Sequence, residues 1–157
     1  MRGAIVMLNT ACPVPNSYYS ATYVTPILDP AALFDSDGIY DTVNRDKFII
    51  PPSLDGKWGI VKMSVRWEGF PKTGKWVQVF PGRILANGAD NESGWPECDP
   101  DNRSYLGVTT TDHSSTSHPV LLHAGDKFRP RLWQQQANGD VYPLNVMAGT
   151  FSINVFD

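Results

Sequence analysis

The sequence predicts an all-β domain, a sandwich or barrel of about eight to ten short strands. Three observations carry this. First, thirteen glycines and thirteen prolines are scattered without a period over 157 residues. Breakers at that frequency leave little uninterrupted helix, and their lack of period excludes collagen. Second, the chain is 41% hydrophobic, 11% aromatic and only 18% charged. That is enough apolar material for a core and too little charge for a disordered tail. Third, apolar and polar residues alternate in several segments, as they do on a half-buried strand.

The elements follow in order. The patch Ala4-Ile5-Val6-Met7-Leu8 reads as the first strand, ended by Cys12-Pro13-Val14-Pro15. Residues 18–25, aromatic and β-branched, read as a second strand. Residues 26–41 read as irregular, with Asp35-Ser36-Asp37-Gly38 as a strong turn signal. A short strand is expected over 47–50, ended by Pro51-Pro52. The clearest strand is 57–67. Its parity Gly59, Val61, Met63, Val65, Trp67 reads as core, and Trp58, Ile60, Lys62, Ser64, Arg66 as the outer face. Residues 75–80 alternate again and pause at Pro81-Gly82, with Arg83-Ile84-Leu85 as a continuation. A loop is expected over 89–102, a Thr-rich strand over 105–111 and a Ser/Thr loop over 113–118. Val120-Leu121-Leu122 leads into an Ala124-Gly125-Asp126 turn, and 128–136 forms a strand with Phe128, Pro130, Leu132 and Gln134 on one side. Asn138-Gly139-Asp140 signals a hairpin, and 150–156 closes the fold with Phe151, Ile153 and Val155 inward.

Length fits one domain, expected over 1–157 with no stalk or linker. The net charge of −3 and the lack of a Lys/Arg cluster argue against a nucleic-acid partner. No apolar run approaches the roughly eighteen residues of a bilayer-crossing helix, and the N-terminal patch is short for a signal peptide. No membrane partner is expected. Cys12 and Cys98 read as two unpaired thiols rather than a disulfide framework.

The order of these pieces resembles C1q/TNF-like jelly rolls, in the versions found in bacteriophage structural proteins. Three segments carry the resemblance: Phe34-Asp35-Ser36-Asp37-Gly38-Ile39-Tyr40 followed by Phe48-Ile49-Ile50-Pro51; the central strand from Gly59 to Trp67; and Leu121-Leu122-His123-Ala124-Gly125-Asp126 leading into Phe128. The closing Thr150 to Phe156 is similar to the family's last strand. One departure is Trp58-Gly59, in a neighbourhood where the C1q-type pattern often has a tyrosine. The resemblance implies a homotrimer in which the sheet holding the first, central and last strands faces the threefold axis, with Phe156 near it. Independently, Trp58 and Ile60 beside Lys62 make an outer face too apolar to be left in water. Trp58, Ile60, Lys62 and Phe156 are therefore the interface candidates.

Motifs of catalysis are absent from the sequence: there is no Gly-x-Ser-x-Gly elbow, phosphate-binding glycine loop or Cys-His pairing. His113, His118 and His123, five apart, do not have zinc-ligand spacing. Asp35, Asp37 and Asp41, and likewise Glu97, Asp99 and Asp101, could offer oxygens to calcium, but the rest of an EF-hand loop is missing and turn formation accounts for them. No cofactor is expected. Trp95, Tyr105, Trp76 and Trp133 could stack on sugars, and only Trp95 lies in an obvious loop; two Asn-x-Ser sequons, at Asn91 and Asn102, share that loop. Trp95, Asp99, Asp101 and His113 are the outer-loop recognition candidates. The functional expectation is a non-enzymatic virion protein on the capsid surface, a trimeric decoration, cement or head-fibre protein bound to the major capsid protein. The alternative is a glycan- or receptor-binding module of a phage tail or spike, or an extracellular C1q-like domain.

Overall fold

The computed structural model describes residues 2–8, 11–14, 24–68, 75–89, 103–106, 111–136 and 144–156. Eleven strands lie among them. In chain order they are β1 (Arg2–Leu8), β2 (Cys12–Val14), β3 (Ala32–Asp35), β4 (Phe48–Ile49), β5 (Trp58–Glu68), β6 (Lys75–Ile84), β7 (Arg103–Leu106), β8 (Thr111–Thr116), β9 (Val120–Leu121), β10 (Lys127–Gln136) and β11 (Leu144–Phe156). One 3-10 turn, Pro52–Leu54, precedes β5.

The strands form two antiparallel sheets. The larger runs β3-β1-β11-β5-β8, with β2 added to β11 and β9 to β5; the smaller runs β4-β10-β6-β7. The first and last strands and β5 thus lie side by side, as the resemblance implies. β11 pairs with β1 from Val155 opposite Arg2 to Gly149 opposite Leu8, and with β5 from Phe156 opposite Trp58 to Asn145 opposite Glu68.

The core lies between the sheets. Along β5 the predicted inner parity is buried: Val61, Met63, Val65 and Trp67. Phe151 and Ile153 of β11 join them from one layer, and Phe48, Val79, Phe128 and Leu132 from the other. Phe48 stacks on Phe151 at 4.5 Å between ring centroids, clamping the layers together. Each such side chain contributes about 1.5–3 kcal/mol by leaving water. Tyr40 meets the edge of Phe48, and its hydroxyl donates to the Asp29 carbonyl at 2.6 Å; burial pushes its pKa up to about 12.

Two glycines permit close strand approach. Gly3 has φ of +138°, and a Cβ there would lie 1.9 Å from the Ile153 carbonyl oxygen. At Gly149 a Cβ would lie 2.3 Å from the Ser64 carbonyl oxygen.

Three elements differ from the sequence reading. Residues 113–118, expected as a loop, belong mostly to β8, which pairs with β5 from Lys62 opposite Thr116 to Trp67 opposite Thr111. His113, Ser115 and Ser117 turn inward and Asp112, Ser114 and Thr116 outward. The alternation is there, but both sets are polar, so no hydrophobic period marks it; the central strand supplies the ladder. Within 26–41, expected to be irregular, β3 pairs with β1 through a register shift at Ile5/Val6. β6 does not pause at Pro81. Pro81 stands opposite Pro130 of β10, beyond the reach of β7, which pairs over 75–78, and of β4, which pairs at 127–128. Neither ring therefore removes a ladder donor that a neighbouring strand needs.

Candidate functional site

The register places the outward side chains of the larger sheet in rows. One row runs Phe156–Trp58–Leu121 across β11, β5 and β9. The next carries Asn154 and Ile60, and the following one Phe34, Ile5, Ser152, Lys62 and Thr116. Beyond it come Met7, Thr150, Ser64 and Ser114, then Arg66 with Asp112.

The first row is the apolar corner. Trp58 is 51%, Phe156 44% and Leu121 37% exposed, and Ile60 is partly exposed beside them. Cross-strand neighbours on one face lie about 5 Å apart, so the three side chains form one patch. Half-exposed side chains of this size leave on the order of 100 Å² each in water, so the patch is on the order of 300 Å². That is as large as the biggest apolar patch on a typical monomer, and often such a patch is functional.

The rest of the face mixes polar and apolar side chains. Lys62 is exposed in its middle. Arg66 donates to Asp112 at 2.9 and 3.3 Å, and the guanidinium holds that carboxyl below its usual pKa. Between Met7, Ala148, Gly149, Thr150, Ser64 and Arg66 lies a hollow of about 300 Å³. At the edge strand β3, Leu33 and Phe34 are exposed.

All four interface candidates therefore lie on this face, and two of them, Trp58 and Phe156, form a direct cross-strand pair. Leu121 completes the patch and was not singled out. Its sequence signal, a run of three aliphatic residues before a turn, marks apolar character, whereas only pairing with β5 puts it beside Trp58.

The recognition candidates fare differently. Trp95, Asp99 and Asp101 lie outside the described residues, as do Glu97, Cys98, both sequon asparagines, residues 18–23 of the strand expected over 18–25 and the Asn138-Gly139-Asp140 turn. His113 requires a correction: it sits on β8 opposite Val65, 7% exposed, pointing into the core rather than out from a loop. Trp133 is buried on β10, and the backbones of Trp76 and Tyr105 pair between β6 and β7. Cys12 is a free, half-buried thiol whose pKa burial pushes up, which disfavours the reactive thiolate.

Burial lowers the pKa of His113, because the core disfavours imidazolium. The unfolded chain takes up a proton near pH 6.5 where the folded protein does not, so stability is full above that pH and falls as pH drops below it. Urea unfolding at pH 7.5 and pH 5.5 is expected to show this loss, and His113→Gln to reduce it. An unchanged pH slope in the variant would assign the loss to other groups.

The aspartates of the 35–41 segment hold turns. Asp35 accepts the Ile39 and Tyr40 N–H groups at 2.9 and 3.0 Å. Asp37 accepts from Arg2 at 2.6 Å and from the Ser36 hydroxyl at 2.5 Å, and these bonds lower its pKa. Asp41 is partly desolvated, which raises its pKa, but donors from Asn44, Lys47 and Val43 outweigh that and bring it down to about 2. Among the described residues no three His, Cys, Asp or Glu side chains gather as a metal site.

Arg83 and Asp126 form a buried ion pair that neither segment signals in the sequence. Arg83 Nη2 donates to Asp126 at 2.6 Å and to the Leu121 carbonyl at 2.9 Å, while Asp126 also accepts the Ala86 N–H at 3.0 Å. The pair ties the end of β6 to the turn after β9, and so holds the strand that carries Leu121.

No family model matches the sequence, and no curated protein matches it significantly. Solved structures do match in fold. The globular domain of the zebrafish complement 1qA protein superposes with a TM-score of 0.57 at 11% identity, covering 99% of this chain and 97% of that one. Murine APRIL at pH 5.0 gives 0.55 at 10% identity, covering 98% of each chain. The fold is thus a C1q/TNF-like jelly-roll sandwich of antiparallel sheets, and the expected fold class is confirmed.

Proposed function

We propose that this protein is a non-enzymatic assembly module that forms a homotrimer through the outward face of its larger sheet. The observation that carries the reading is the exposed row Phe156–Trp58–Leu121. A patch this apolar is favoured against a partner, and closed cyclic symmetry lets each copy cover its neighbour without leaving an open end. Threefold order is taken from the sequence resemblance, as is the setting: a virion decoration protein bound to the major capsid protein. In that setting each trimer contacts the shell weakly, and several contacts held together multiply into firm attachment.

Light scattering on the full chain is expected to report about three times the 17.4 kDa protomer mass. Trp58→Asp is expected to weaken association by about 2 kcal/mol or more, roughly thirtyfold, as truncation of an aromatic anchor does. Its circular dichroism should stay that of the folded domain, because the side chain is already half in water. A strictly monomeric wild type overturns the assembly reading. For the virion role, purified protein is added to undecorated phage heads; co-sedimentation supports it and its absence overturns it.

A further inference from the structure

Granted the self-association proposed above, on which this rests, we infer that the hollow beside Gly149 receives a large apolar side chain from a second copy of the chain. The hollow lies on the same outward face as the apolar corner. Gly149 stands opposite Val65, seven residues along the ladder from the Phe156–Trp58 pair, which is about 23 Å at strand rise. The corner offers on the order of 300 Å², whereas a stable interface covers about 800 Å² per partner, a patch roughly 30 Å across. The corner stands at one end of β5 and β11, so an interface with Trp58 at its rim that extends along the strands to standard size covers the hollow.

The depression lies where the ladder between β11 and β5 shifts register, between Val146 and Ala148. Met7 and Ala148 give the lining apolar surface, and Ser64 and Thr150 face each other across it. Arg66 at the rim is already engaged with Asp112. Such a lining gives a trapped water few partners, and an empty void forfeits dispersion contacts, so a covered hollow is filled by apolar atoms. The copy laid over it is a source of such groups: Leu33 and Phe34 at the β3 edge and the Trp58 corner are exposed on every protomer.

Two variants test this in the full chain. Thr150→Trp fills the hollow from its own strand with a residue suited to β structure. It is expected to raise the dissociation constant of the assembly at least tenfold while leaving the circular dichroism and the monomer's unfolding midpoint unchanged. Thr150→Cys, treated with a bulky maleimide and read by peptide mass, is expected to react at least tenfold more slowly in the assembled protein than in the same variant carrying Trp58→Asp. Thr150→Trp that assembles like wild type, or equal labelling of both forms, overturns the inference. If Trp58→Asp dissociates the protein in that case, self-association stands and only the hollow's role falls. A hollow occupied by an unrelated protein instead would leave self-association untouched by Thr150→Trp, which also overturns the inference.

Discussion

Asp126→Ala is expected to lose about 3–5 kcal/mol of folding stability, measured by urea unfolding at neutral pH. Asp126 is 1% exposed and its partner Arg83 6%. Three donors converge on the Asp126 carboxylate: the Arg83 guanidinium at 2.6 Å, the Ala86 N–H at 3.0 Å and the His123 N–H at 3.3 Å. Removing it strands a guanidinium in the interior beside the Phe128 ring, 5.6 Å from its centroid. An unpaired buried charge costs far more than the net worth of the pair. The double variant Arg83→Met, Asp126→Ala is therefore expected to recover part of the loss, since no charge is left behind. A single-variant loss below about 1 kcal/mol would mean that the guanidinium reaches water. A functional consequence accompanies the energetic one. Arg83 also bonds the Leu121 carbonyl, so the loosened turn shifts one member of the apolar corner, and association should weaken along with stability.

Gly3→Ala is expected to cost about 4 kcal/mol or more, in the range reached only by a named structural failure. The strain has two sources. At φ of +138° an L side chain is disfavoured, and its Cβ would sit 1.9 Å from the Ile153 carbonyl oxygen. Neither partner is a flexible side chain that could swing aside, so β1 must separate from β11. Gly38→Ala is the control: φ is +68° there and nothing lies within 4 Å of the added Cβ. That variant is expected to cost about 1–2 kcal/mol, the backbone preference alone. Equal losses at the two positions, read as shifts of the urea midpoint, would show that the close approach of β1 to β11 is not what makes Gly3 necessary.

Much of the fold was legible because it depends on local pattern. The alternation of 57–67 located β5 and divided its residues correctly into Val61, Met63, Val65, Trp67 inside and Trp58, Lys62, Arg66 outside. Phe151, Ile153 and Val155 were placed inward on the same ground. β8 was missed because His113, Ser115 and Ser117 give the inner face no hydrophobic period; Ser117 accepts the Val61 N–H instead, a bond 56 residues apart in sequence. β3 was missed because its four residues, Ala-Leu-Phe-Asp, show no alternation and are ordered by pairing with β1.

The apolar corner was half legible. Trp58 and Ile60 looked too apolar for a free surface and the resemblance singled out Phe156, but the adjacency of Trp58 and Phe156 is a fact of register, which no property of either segment encodes. Leu121 joins them by the same rule, and the hollow lies beside a register shift. The contrast at the buried pair is similar. Asp126 lies in a turn that composition alone marks as a surface loop, and Arg83 follows a proline and a glycine. Long-range pairing brings them together across 43 residues and removes both from water.

Composition, alternation and turn residues thus determined by themselves that the chain is all-β, that 57–67 is a long amphipathic strand and which of its faces is buried. Those properties depend on each residue's own chemistry and on a period of two. Tertiary structure decided which exposed apolar residues become neighbours, where the face is hollow and which charges are buried. Those depend on the register between strands far apart in sequence, and register is set by the whole core at once.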